Sequence, residues 1–272
     1  MKSIRIVGLV GIVITLSLTM SCDKNGDVVL FSIKNDIELG AQVSEQIEAD
    51  TSFTILSPVE YPEAYSYLQG ITDEILSAEE VTYKEEFAWK IHIIHDDVLN
   101  AFATPGGYIY VYTGLINYLD NVDDLAGVMG HEIAHSDQRH SSKQLQRQYG
   151  IQVLLSIALG KDASQLAEVV GQIAGTGAIL AFSRSAESEA DEYSVKYLAD
   201  TKYACNGAYS FFQKLIDEKA TGNTPEFLST HPDPEDRVDD INAKAAELGC
   251  DTTPVEETGF TYTDFKNSLP QQ

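Results

Sequence analysis

The sequence predicts an α+β fold in which helices dominate and one small sheet is inserted in the first half of the chain. Three observations lead there. Most of the chain spaces its apolar residues at helical intervals. Two short runs within residues 87–112 are instead rich in aromatic and β-branched residues, and Pro105, Gly106 and Gly107 mark a turn between them. A chain of 272 residues with 43% hydrophobic content can fill one large core, so a single globular body is the simplest organisation.

In chain order, residues 1–21 read as a targeting segment, because Lys2 and Arg5 precede an apolar run that ends at Ser21 and Cys22. The run is short for a membrane span, which favours a cleaved signal peptide over an anchor helix. Its end resembles a bacterial lipoprotein signal, in which Cys22 becomes the lipidated first residue, although Thr19, Met20 and Ser21 depart from the usual pattern. Residues 22–35 read as a tether, and the main domain is expected over residues 36–250. Within it, residues 36–49 form a helical pattern with Ile37, Val43 and Ile47 among charges, and residues 63–77 form a second. Residues 87–94 and 108–112 read as strands. Residues 100–113 form a hairpin candidate whose first strand, at 100–103, would lie at a sheet edge.

The helical pattern returns over residues 123–148, with Asp123 and Asp124 in the first turn and Leu125, Val128, Met129 and Ile133 at helical spacing. Residues 165–182 are apolar but carry Glu168, Gln172 and several glycines, which suits a helix packed on the body rather than a membrane span. Three further helices are expected at 186–199, 207–218 and 234–248. The Thr- and Glu-rich tail at 251–272 is expected to be flexible.

Charge excludes one class of partner. With 42 acidic against 18 basic residues the net charge is -24, which repels phosphate backbones and anionic lipid, so nucleic acid is not expected to bind. Membrane contact is expected only through a lipid on Cys22. If that cysteine is so consumed, Cys205 and Cys250 remain as an even pair in an oxidising compartment, where one disulfide is expected and two separate buried thiols are the alternative.

The chemistry concentrates at His131-Glu132-Ile133-Ala134-His135, an H-E-x-x-H motif in a helical stretch. Its two imidazoles are one turn apart on one face and can hold one metal ion. Zinc suits two neutral imidazoles plus a carboxylate, with the fourth position left to water. Glu132 beside the first imidazole is the natural general base for that water. A third ligand on the same helix is not supplied, because Ser141 stands where the extended motif has His, and Gln138 where it has Gly. His140 is one residue short, roughly 140° around an unbroken helix from His135, and is read as a supporting or packing residue. A better source is residues 183–191, where Glu187 and Asp191 are i and i+4 and can face the first helix together. Glu187 would bind zinc, and Asp191 would accept a hydrogen bond from the distal nitrogen of a ligand histidine. Glu189 is read as a surface residue, and His92 and His95 as structural.

These residues resemble the zinc endopeptidase family that includes the Ste-type CAAX prenyl endopeptidases, the membrane peptidase HtpX and the periplasmic peptidase BepA. The resemblance rests on residues 100–111, the H-E-x-x-H at 131–135, the Ser-Arg-x-x-Glu-x-x-Ala-Asp at 183–191, and Thr-His-Pro at 230–232 followed by Arg237. It implies a mostly helical, gluzincin-like peptidase body with a small sheet carrying an edge strand over the active site. It also implies one zinc ion held by His131, His135 and Glu187, with Asp191 as supporting partner. Asn100 and Ala101 would then offer a strand edge to an extended substrate peptide. His231 would serve the active site, either donating to the oxyanion or capping the open metal position at rest. The expectation is an exported metalloendopeptidase of the periplasm or cell envelope that hydrolyses exported or misfolded polypeptides. A client-binding holdase is the rival, against which Glu132 speaks, and a peptidase held inactive by His231 is a third form.

Overall fold

In a computed structural model of the chain, the described residues are 31–176, 181–220, 227–231 and 236–270. The expected signal peptide at 1–21 and the expected lipid attachment at Cys22 lie outside them. The fold is mostly helical with a three-stranded sheet.

The first helix, α1 (Ile33–Ala49), opens on Ser32, whose hydroxyl accepts from the Asn35 N–H at 3.2 Å while the Asn35 side chain accepts from the Ser32 N–H at 3.2 Å. Leu39, Val43 and Ile47, four residues apart, make its buried face. Helix α2 (Pro62–Leu76) starts on a proline, whose missing N–H costs nothing at that position, and buries Ala64, Leu68, Ile71 and Ile75.

The sheet holds β1 (Lys90–Ile94), β2 (Ala101–Thr104) and β3 (Tyr108–Tyr112) in the order β1-β3-β2. β1 runs parallel to β3, and β2 pairs antiparallel with β3, setting Phe102 opposite Tyr110. The turn between β2 and β3 requires Gly106 and Gly107, whose φ angles of 78° and 85° lie in the left-handed region. β1 starts later than the expected residue 87, because Trp89 takes φ 43° and interrupts the extended backbone before it. β2 is an edge strand of this sheet, as its pattern suggested.

After a short α3 (Thr113–Tyr118), the central helix α4 (Val122–Asp137) is buried along its whole length. The Asn121 side chain caps it by accepting from the Asp124 N–H at 2.9 Å. Here the structure departs from the single helix expected at 123–148. The chain breaks at Gln138 and Arg139, and α5 (His140–Tyr149) starts in a new direction. No Gly or Pro marks the break. Arg139 takes a left-handed φ of 61° and donates to the buried Asp36 carboxylate at 2.6 Å and to the Phe31 carbonyl. A charge-assisted bond to a buried group, about 1.5–3 kcal/mol, outweighs the ~1–2 kcal/mol of a left-handed residue.

Helices α6 (Ile151–Ala158), α7 (Ala163–Thr176), α8 (Arg184–Leu198), α9 (Ala208–Ala220), α10 (Phe227–Thr230) and α11 (Arg237–Leu248) follow. α7 ends before the expected limit, and Phe182 stands in a non-helical stretch whose N–H donates to the Thr230 carbonyl at 3.4 Å. α4 packs against α8 and α9. At Gly127 a Cβ would fall 2.1 Å from the Ala208 nitrogen, so only glycine admits that approach. Among the described residues no helix is long and apolar enough to cross a membrane.

Cys205 and Cys250 are bridged, joining the segment before α9 to the end of α11. The tail at 251–272, expected to be flexible, contains one further helix. It forms α12 (Tyr262–Ser268), capped by Thr261 and Asp264, with Tyr262, Phe265 and Leu269 buried. The Tyr262 hydroxyl donates to the Ile116 carbonyl at 2.6 Å, and Phe265 stacks on Tyr67 with ring centres 4.7 Å apart. Apolar rings one turn apart with a capping box supply the local order that the Thr- and Glu-rich composition concealed.

Candidate active site

α4 presents His131 and His135 from one face with their Nε2 atoms 2.9 Å apart. α8 brings Glu187, whose carboxylate oxygens lie 3.4 Å from His131 Nε2 and 3.6 Å from His135 Nε2. Directly after α10, His231 sets its Nδ1 3.2 Å from Glu187 Oε1 and 3.4 Å from His131 Nε2. All four residues are buried, and one ligand atom from each lies within 4.8 Å of the others. The two segments expected to converge, 131–135 and 183–191, do so.

The donor set fits a divalent transition metal. Ligand atoms around a tetrahedral ion with bonds of about 2.0–2.2 Å are about 3.3–3.6 Å apart, close to the spacings among these four side chains. Glu132 supplies a second sign. It is fully buried, and neither carboxylate oxygen has a hydrogen-bond partner; its Oε1 lies 3.5 Å from His231 Nε2. Burying an unsatisfied carboxylate is expensive, so its retention beside the cluster points to chemistry rather than packing.

Supporting groups orient the cluster. Asp191 Oδ1 lies 2.9 Å from His131 Nδ1, as expected of a partner that fixes the tautomer. Arg237, whose role the sequence left open, donates to both Asp191 oxygens at 2.6 Å and pairs with Glu187 Oε2 at 3.1 Å. Its guanidinium lies 3.8 Å from the centre of the Phe212 ring. His140 Nδ1 lies 3.0 Å from His135 Nδ1, and its Nε2 lies 3.3 Å from Glu189 Oε2. The angular argument that set His140 far from His135 assumed an unbroken helix; the break at Arg139 re-aims it. Glu189 is correspondingly not a plain surface residue. Phe182 stacks on His135 at 3.8 Å and Phe227 on His231 at 4.3 Å. Neither was legible in the sequence, since an aromatic ring beside a motif has no diagnostic spacing.

Burial sets much of the electrostatics. It drives His135 well below its ordinary value of 6.5, aided by the His131 charge, so its imidazole is neutral as a ligand must be. Burial also works to lower His131, but hydrogen bonds to Asp191 and Glu187 prevail and carry it up to about 9, a proton that metal binding there would release. Burial raises the Glu132 carboxyl above its ordinary 4.5. For Glu187, burial is outweighed by His231, Arg237 and the His131 hydrogen bond, which hold it well below 4.5.

The remaining expected residues lie at the sheet. The Asn100 side chain accepts from Thr230 Oγ1 at 3.4 Å, next to His231, while its carbonyl accepts from the Tyr112 N–H at 3.1 Å. Asn100 is therefore turned toward β3, and by the alternation of an antiparallel ladder Ala101 directs its N–H and C=O to the outer side of β2, where the residue itself is buried. On that same edge the Ala103 carbonyl already accepts from Ser141 Oγ at 2.6 Å. His92 stacks on Tyr110 at 4.8 Å, outside the cluster.

The comparisons agree with this geometry. A model of peptidase family M48 matches residues 62–245, more than half of the chain. The chain is 31% identical over 166 residues to the beta-barrel assembly-enhancing protease of Escherichia coli (strain K12), covering 57% of this chain and 34% of that protein. It is 35% identical over 167 residues to a putative beta-barrel assembly-enhancing protease of Vibrio cholerae, with coverage of 57% and 34%. It is 30% identical over 177 residues to the mitochondrial metalloendopeptidase OMA1 of Schizosaccharomyces pombe, covering 63% of this chain and 50% of that one. The chain thus spans between a third and a half of the length of these relatives. The match over the segment that holds the His131, His135 and Glu187 cluster identifies the chain as a member of peptidase family M48.

Proposed function

We propose that the protein is a zinc-dependent endopeptidase that hydrolyses internal peptide bonds of extended polypeptides. The observation that carries this reading is the buried carboxylate of Glu132, which has no hydrogen-bond partner, beside a cluster of three imidazoles and a second carboxylate. Zinc held by His131, His135 and Glu187 supplies an acidified water and a Lewis acid.

The chain's own groups do the rest. Glu132 takes the proton of the attacking water on a carboxylate oxygen and delivers it to the leaving amine, a task to which its burial-raised pKa is suited. Asp191 accepts from His131 Nδ1–H, which keeps the Nε2 lone pair turned toward the cluster. Ala101 lends its N–H and C=O to the substrate backbone as an added strand, and Asn100, tied to Thr230, holds that strand beside His231. His231 closes the cluster at rest. Its Nδ1 stands within 3.3 Å of both Glu187 oxygens, so substrate entry requires it to swing aside, after which it can donate to the developing oxyanion.

Substrates are exported or misfolded envelope proteins and the site of action is the periplasm or cell envelope, with a lipid on Cys22 as the membrane attachment. The apolar segment at 6–20 after Lys2 and Arg5, the Cys205–Cys250 bridge and the names of the bacterial relatives support this placement. The test is Glu132→Gln. It is expected to bind one zinc per chain and to leave casein intact where the wild type cuts it. Casein cleavage at the wild-type rate by that variant rejects the mechanism, and suppression of client aggregation without cleavage by the wild type favours a holdase.

A further inference from the structure

The break between α4 and α5 puts a fourth imidazole against a member of the cluster, and this contact has a direction. His135 turns Nε2 toward His131 and Glu187, at 2.9 and 3.6 Å. A neutral imidazole that binds metal through Nε2 carries its proton on Nδ1. That Nδ1 lies 3.0 Å from His140 Nδ1, and two ring nitrogens at this distance need one donor and one acceptor. His140 Nδ1 must therefore accept, which places the His140 proton on Nε2. There it meets a carboxylate oxygen of Glu189 at 3.3 Å.

We propose that His140 and Glu189 form a positioning relay, in which His140 accepts from His135 Nδ1–H and donates to Glu189, fixing the tautomer and ring orientation of His135. The proposal rests on the reading of His131, His135 and Glu187 as zinc ligands. The two ligand histidines are then supported unequally. His131 meets Asp191 directly at 2.9 Å, whereas the carboxylate that serves His135 acts through an intervening ring. α8 supplies all three carboxylates at alternate positions: Glu187 to the cluster, Glu189 to His140 and Asp191 to His131. His135 and His140 are 0% and 3% exposed, so bulk water is not at hand to replace a lost acceptor. The Glu189 side chain, 18% exposed, carries the relay toward the surface.

The test compares the wild type with His140→Phe, His140→Asn and Glu189→Ala, measuring zinc affinity by chelator competition and unfolding of the metal-free protein by circular dichroism. His140→Phe keeps the ring but strands the His135 N–H, and zinc is expected to bind about 10–100-fold more weakly with metal-free unfolding within a few degrees of the wild type. His140→Asn offers an amide oxygen where Nδ1 stood and is expected to recover most of that affinity. A role in packing alone predicts the reverse, since Phe fills the space better than Asn. Wild-type zinc affinity in His140→Phe, or recovery no better in Asn than in Phe, overturns the relay. Should His140→Phe fail to fold, Glu189→Ala decides: weaker zinc binding supports the relay and wild-type affinity overturns it. A wild type that binds no zinc overturns the metal-site reading itself, and the relay with it.

Discussion

Replacing Arg237 by methionine tests how the buried charges hold the fold. The guanidinium donates to both Asp191 oxygens at 2.6 Å and forms an ion pair with Glu187 Oε2 at 3.1 Å, with all three residues at most 5% exposed. Methionine fills comparable space but leaves two carboxylates in a low-dielectric site without that cation. Breaking a buried pair by removing one partner costs about 3–5 kcal/mol. For a domain of this size each kcal/mol lowers the melting temperature by about 2–4 °C, so Arg237→Met is expected to melt about 6–20 °C below the wild type. The measurement is differential scanning calorimetry in EDTA, which keeps metal binding from masking the loss. Lys244 is the control. It pairs with Glu192 at 3.3 Å and Glu247 at 2.8 Å near the surface, where such contacts contribute about 0–1 kcal/mol. An Arg237→Met protein that melts within about 2 °C of the wild type, or a Lys244→Met protein that loses as much, refutes the reasoning.

Three further outcomes are expected. Because burial raises Glu132 and the base must be ionised, kcat/KM should fall as pH drops through a value above the ordinary 4.5; full activity at pH 4.5 with zinc in excess would count against that role. Joint replacement of Cys205 and Cys250 by serine should cost about 4 kcal/mol by the chain-entropy argument for a separation of 45 residues, read as a shift in the urea midpoint. Phe265→Ala should cost about 3–5 kcal/mol, because this ring is fully buried against Tyr67; a negligible urea shift would mean that α12 contributes nothing to the core.

Much of the site was legible because its spacing is helical. His131, Glu132 and His135 lie within one turn of α4, and Glu187 and Asp191 within one turn of α8, so one rule of periodicity located both faces. The hairpin was legible from Gly106 and Gly107, whose positive φ angles give the turn its chemistry. What escaped depends on long-range partners. The α4–α5 break is fixed by Asp36 and Phe31, some hundred residues away in sequence, and nothing near Arg139 announces it. The support from Glu189 to His140 follows from that break and was hidden with it. α12 escaped for the opposite reason: its signals, Thr261, Tyr262, Asp264 and Phe265, are local but sit in a segment whose composition favours disorder.

The outer edge of β2, read as the place where substrate pairs, carries a consequence for selectivity. Main-chain amides are common to all twenty residue types, so the proposed recognition through Ala101 would sense whether a polypeptide has released its own backbone rather than which letters it contains. A natively folded client keeps those groups engaged and offers nothing to complete the ladder. With Ser141 already holding the Ala103 carbonyl, the grip is restricted to few bonds, each contributing about 1 kcal/mol. On the proposed function, so weak a hold would let severed ends depart, which fits cleavage of failed chains better than processing of one chosen sequence.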